Sequence, residues 1–144
     1  MKFTLDTNLY VHAFRDPASE RSLRGFYERE TPNLYLCSVV LHELEVGGSS
    51  DAAIDWVERA TRPVAASKRV ITPTHAAWKR SGTALSRLAS ERHMERRNIH
   101  RSLVNDALIA ATCRENGVTL VTRNTRDFEL IHSVFPFDFV APWP

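Results

Sequence analysis

Short, continuously apolar runs alternate along this chain with longer stretches whose apolar residues recur at helical spacing. Lys2–Leu5, Leu34–Cys37, Val118–Val121 and Phe137–Val140 are too short to be helices and read as strands. Val64–Ile71 mixes small and β-branched residues and reads as a further, less sharply drawn strand. Between them the pattern predicts helices over Leu9–Phe14, from Asp16–Pro17 to about Glu30, from an N-cap at Ser38 to Gly47–Gly48, and over Ser50–Ala60. A long helix opens at Thr72–Pro73 and runs to about His93, another spans His100–Glu115 and closes at Asn116–Gly117, and Asn124–Ile131 forms a short helix or turn. Strands without polar alternation, separated by helices, predict a parallel sheet covered on both faces.

Three acids break the apolar pattern. Asp6 ends the run Phe3–Thr4–Leu5, Glu43 lies inside Val39–Val46, and Asp106 lies inside Leu103–Ala111. The helical neighbours of Glu43 are Val39, Val40, Val46 and Gly47, and those of Asp106 include Leu103, Ile109 and Ala110, so both side chains point inward. Taken singly, Asp6 could be a cap, Glu43 could face solvent, and Asp106 could cap backbone or meet an arginine. Buried carboxylates need a partner or a metal. One shared divalent cation, which prefers hard oxygen ligands, accounts for all three. In parallel sheets the ligand crevice lies beyond the carboxyl ends of the strands. Asp6 stands at one such end, and Thr122, Asn124 and Asp127 follow another.

The 144 residues suit one domain, and a net charge of +2 does not by itself mark a nucleic-acid binder. Distribution says more. From Lys79 to Arg101 the basic residues Lys79, Arg80, Arg87, Arg92, Arg96, Arg97 and Arg101 face only Glu91 and Glu95, a block suited to a phosphate backbone. Arg123 and Arg126 flank the expected crevice. Cys37 and Cys113 both sit in apolar runs and read as buried free thiols. The N-terminus enters structure directly, and no run reaches the roughly 20 apolar residues of a membrane span. A cytoplasmic protein without membrane association is expected.

Leu5–Asp6–Thr7–Asn8, Ser38–Leu44 with Gly47 beyond it, Asn105–Ala111 and Thr122–Phe128, in this order and spacing, resemble the PIN domains, specifically the VapC-type toxin ribonucleases. The resemblance covers nearly the whole chain. It implies one PIN-like nuclease domain over 1–144, a Rossmann-like three-layer α/β/α sandwich with a short parallel sheet. It also implies a metal-dependent endoribonuclease whose acidic site maps onto Asp6, Glu43 and Asp106. At the fourth acidic position this chain has Asn124 where many members have Asp, with Asp127 three residues on. An Asn oxygen still binds a metal directly or through water, and Asp127 can supply the charge.

The expected cofactor is Mg²⁺ or Mn²⁺, held by Asp6 and Asp106, with Glu43 as a ligand or as the group that orients the attacking water. Thr7 and Thr122 are expected to hydrogen-bond the carboxylates or a phosphate. Arg92, Arg96, Arg97, Arg101, Arg123 and Arg126 are the expected RNA contacts. As a toxin, the chain would have a cognate antitoxin and form a homodimer, for which Trp56, Val57 and Trp78 offer apolar surface. The alternative is a catalytically weak or silent PIN-like RNA-binding or scaffold domain. The intact acids speak against it, and Asn124 speaks for it. A haloacid dehalogenase phosphatase would need a second Asp two residues after the first, where Asn8 stands.

Overall fold

The computed structural model describes residues 1–91 and 99–144. Five parallel strands form the sheet: β1 (Phe3–Leu5), β2 (Leu34–Cys37), β3 (Val70–Ile71), β4 (Thr119–Val121) and β5 (Phe139–Val140), in the order β3-β2-β1-β4-β5. Phe3 pairs with Leu34 on one side and Thr119 on the other, so β1 is the central strand. Strand order reverses between β1 and β4, which opens a crevice above their carboxyl ends.

On one face lie α1 (Thr7–Arg15), α2 (Pro17–Glu30), α3 (Ser38–Val46) and α4 (Asp51–Ala66). On the other lie α5 (His75–Glu91), α6 (Arg101–Asn116) and α7 (Thr125–His132). This is the α/β/α arrangement that the apolar pattern predicts. Leu5, Leu36 and Leu120 have no more than 1% exposure, and Tyr10, Phe26 and Phe128 fill the layers on either side. Cys37 and Cys113 are buried free thiols. None of the described helices is long and apolar enough to cross a membrane.

Four local expectations need correction. Ser38 is the first helical residue rather than the cap: β2 stays extended through Cys37, which holds the cap position without a side-chain bond. Helix α4 does not stop at Ala60 but continues through Pro63 to Ala66. Pro63 is exposed, while Thr61 and Val64 on the inner face are buried. That packing outweighs the missing N–H of the proline. The predicted strand over Val64–Ile71 is therefore mostly helix and turn. Lys68 takes a positive φ of 59° at the reversal, and only Val70–Ile71 pair with β2. Helix α5 begins at His75, with Thr74 accepting the Ala77 N–H at 3.3 Å, instead of opening at Thr72–Pro73. Its predicted end at His93 lies outside the described residues. At the end of α6, Gly117 adopts the left-handed conformation (φ 61°) that glycine takes without steric cost.

Candidate acidic site

Asp6 leaves the end of β1 with its own N–H still bonded to the Val121 carbonyl at 2.9 Å, and it caps α1. The ladder to β4 and the start of the helix hold it from both sides. Its Oδ1 accepts the Thr7 N–H at 2.8 Å. Its Oδ2 accepts the Thr122 hydroxyl at 2.6 Å and the Asn8 amide at 3.0 Å. Thr122 spends its proton on Asp6 and accepts the Asn124 N–H at 3.0 Å. Asn8 accepts the Arg123 N–H at 3.4 Å, which ties the loop after β4 to the start of α1.

Glu43 reaches the same crevice from the middle of α3 and is half-buried. The Thr7 hydroxyl donates to its Oε1 at 2.7 Å and Asn105 donates to its Oε2 at 3.2 Å. Glu45 is exposed. Asp106 projects from the second turn of α6 and is only 7% exposed, and its Oδ2 is buried without a hydrogen-bond partner. Asp127, in the first turn of α7, accepts the Asn124 amide at 2.8 Å.

These acids feel one another. Burial, followed by the charges of Asp6, Glu43 and Asp127, pushes the Asp106 carboxyl up to about 8. Burial also pushes Asp6 up to about 6, against the pull of its bonds from Thr122, Thr7 and Asn8 and with a further push from Glu43. The structure thus brings Asp6, Glu43, Asp106, Asn124 and Asp127 to one crevice, with Thr7 and Thr122 bonded to two of the carboxylates.

The basic residues divide. Arg123 and Arg126 are exposed on the segment that follows β4, and Arg101 is exposed at the first turn of α6. Arg87 is engaged by Glu91 at 3.1 Å and by the Val134 carbonyl, and Arg80 lies over the Phe135 ring. Arg92, Arg96 and Arg97 lie outside the described residues. Val57 belongs to the core rather than to an interface, and Trp56 is half-buried against Phe14, leaving Trp78 as the exposed aromatic of the three.

The PIN domain family profile matches residues 3–132. The chain belongs to the PIN domain family. No curated protein matches it by sequence. Among solved structures, this PIN domain is similar to DNA-bound VapBC from Salmonella typhimurium, with TM-score 0.70 and 20% identity over 98% of each chain. It is similar to VapBC2 from Rickettsia felis bound to a promoter DNA fragment, with TM-score 0.63 and 23% identity over 100% of each chain. It is also similar to FitAcB from Neisseria gonorrhoeae, with TM-score 0.67 and 20% identity over 98% of each chain. At these identities the likeness speaks to the fold.

PIN domains are generally nucleases that use divalent metals. Among the described residues, no group of three His, Cys, Asp or Glu side chains forms a finished cation cage. What the site offers is two carboxyls raised first by burial and then by neighbouring acids, one buried oxygen without a partner, and an all-oxygen donor set. That fits Mg²⁺ or Mn²⁺, since Mg²⁺ typically takes one or two carboxylates and completes its shell with water. Two residues of the site were missed as participants in the sequence. Asn8 and Asn105 act through contacts to Thr122 and Glu43, which are distant along the chain. Their only sequence signal is adjacency to the acidic motifs.

Proposed function

We propose that this PIN domain is a Mg²⁺- or Mn²⁺-dependent endoribonuclease working as one domain over residues 1–144, the toxin of a toxin–antitoxin pair. The observation that carries the reading is the buried, unpartnered Oδ2 of Asp106 facing the charge of Asp6. Asp6 and Asp106 hold the metal. When bound, the metal supplies an acidified water and neutralises charge on the phosphate.

The chain's own groups do the positioning. Thr122 and Asn8 fix the Asp6 carboxylate, so that it reaches the crevice in one orientation. Glu43, steadied by Thr7 and Asn105, orients the attacking water and accepts its proton. Asn124 and Asp127 complete the fourth side, the amide holding the carboxylate in place. Arg101, Arg123 and Arg126 draw the RNA backbone to the rim; Arg92, Arg96 and Arg97, the other expected RNA contacts, lie outside the described residues.

A partner reading has its own support. An apolar cleft lined by Val11, Phe14, Leu44 and Trp56 opens beside Glu43. An antitoxin segment lying there would reach the acids and block them. Exposed Trp78, with 59% of its surface accessible, is the residue from which a homodimer contact is inferred.

Incubation of the purified protein with total cellular RNA in Mg²⁺ or Mn²⁺ tests the central reading. Discrete cuts are expected, abolished by EDTA and by Asp6→Ala or Asp106→Ala in folded protein. Cleavage that survives both treatments would remove the site assignment. A folded wild type that binds RNA without cutting it, over a range of metals, would favour a silent binding domain.

A further inference from the structure

A second cavity opens off the acidic crevice between the start of α6 and the outer face of α7, and Asp127 lines both. Its apolar part comes from Leu103, which is buried, and Leu130, which is half-buried. His100, Ser102, Asn124, Arg126, Asp127 and Glu129 supply its polar part, Asp127 being held by the Asn124 amide while Glu129 stands free of ion pairs among the described residues. Arg126 stands three residues before Glu129 on one face of α7, and it too is in no ion pair with another described residue. An apolar seat with a few convergent polar groups is the usual form of a small-ligand subsite.

RNA with one phosphate at the acids must place a neighbouring base within a nucleotide's reach, and this cavity, which shares Asn124 and Asp127 with the acidic site, is more polar than the apolar cleft that adjoins the site beside Glu43. The geometry points to a nucleobase subsite here that prefers guanine. The base rests on Leu103 and Leu130, Arg126 meets the adjoining phosphate, and Glu129 reads the base edge. Single-stranded RNA is read in this manner, through splayed bases and their hydrogen-bonding edges. The choice of guanine follows from the carboxylate. A carboxylate only accepts hydrogen bonds, and the two oxygens of Glu129 match the adjacent N1–H and N2–H of guanine. Adenine and cytosine each set one amino group beside a ring nitrogen that repels a carboxylate, and uracil flanks its single N–H with two carbonyls. The inference rests on the nuclease reading for its purpose but not for its test.

Titrating the four nucleoside 5′-monophosphates into the wild type in Mg²⁺, followed by methyl NMR of Leu103 and Leu130, tests binding without cleavage. Guanosine monophosphate is expected to shift both leucines and to bind about tenfold tighter than the other three, the scale of one bidentate base contact. Glu129→Gln, an exposed substitution on a solvent-facing turn, is expected to erase that preference. Equal binding of all four nucleotides, a guanine preference intact in Glu129→Gln, or shifts confined to other methyls would each overturn the subsite. Guanine selection through Glu129 in a protein that cuts no RNA would sustain the subsite and sink the nuclease reading. Cleavage with no base preference next to the cut would do the reverse.

Discussion

Asp6 and Asp106 are both buried carboxylates in one crevice, and the protein treats them in opposite ways. Asp6, at the end of β1, receives three donors: the Thr7 N–H, the Asn8 amide and the Thr122 hydroxyl. Asp106, on α6, keeps a buried oxygen with no partner. A carboxylate with three donors is fixed in place and kept close to ionisation. A buried carboxylate oxygen that has no donor and feels the charge of other acids must take up a proton or a cation. The β1 side therefore acts as a rigid ligand mount, and the α6 side is where positive charge is in demand.

Substitution separates the two most sharply. Asp106→Asn should lower RNA cleavage by about 100-fold or more, the scale of the several kcal/mol that a bound metal supplies. It should leave the melting temperature unchanged or higher above neutral pH, because it removes a buried, repelled charge. Asp6→Ala should lower cleavage as much but also cost about 1–3 kcal/mol of stability, since it removes a helix cap and orphans the Thr122 hydroxyl. Parallel rate and thermal-unfolding measurements check both. A destabilised Asp106→Asn with a stable Asp6→Ala would invert the comparison.

Thr122→Val probes the mount alone. It should weaken metal binding by about 10-fold, as expected for losing a group that orients a ligand. It should also move the acid limb of the cleavage pH profile upward, because the hydroxyl lowers the Asp6 pKa. A fall in rate with an unmoved profile would indicate a purely structural role.

A further effect, read without substitution, is on stability against pH. Both carboxyls titrate high in the fold, Asp6 at about 6 and Asp106 at about 8, against an ordinary 3.8. The folded protein therefore holds protons that the unfolded chain releases. The stabilisation is complete below about pH 4 and is lost as pH rises through about 6 and then about 8. The metal-free melting temperature should fall over that window, and Mg²⁺ should restore it more at about pH 8.5 than at about pH 5. A melting temperature that rises across the window would show that burial and neighbouring charge do not raise these carboxyls.

The fold was legible where local signals agreed. Uninterrupted apolar runs marked the strands, and the order of the acidic motifs placed Asp6, Glu43 and Asp106 in one crevice. What was hidden depended on partners distant in the chain. Burial of Thr61 and Val64 carries α4 through Pro63, beyond the predicted end at Ala60. Cys37 stays extended because it finishes β2, leaving Ser38 to begin the helix. Asn105 looks like any polar residue of α6 until α3 brings Glu43 to it. At the fourth position the sequence offered Asn124 or Asp127, and the fold joins the two by a hydrogen bond.

The contrast between the two acids is tested most directly by calorimetry of Mn²⁺ binding to the wild type and to Asp106→Asn at neutral pH, in buffers of different ionisation heat. With Asp106 titrating at about 8, the wild type should bind the ion and release close to one proton. The variant should bind at least about 10-fold more weakly and release fewer protons. Equal affinity and equal proton release in the two proteins would contradict the account, because the ion would then be held without Asp106.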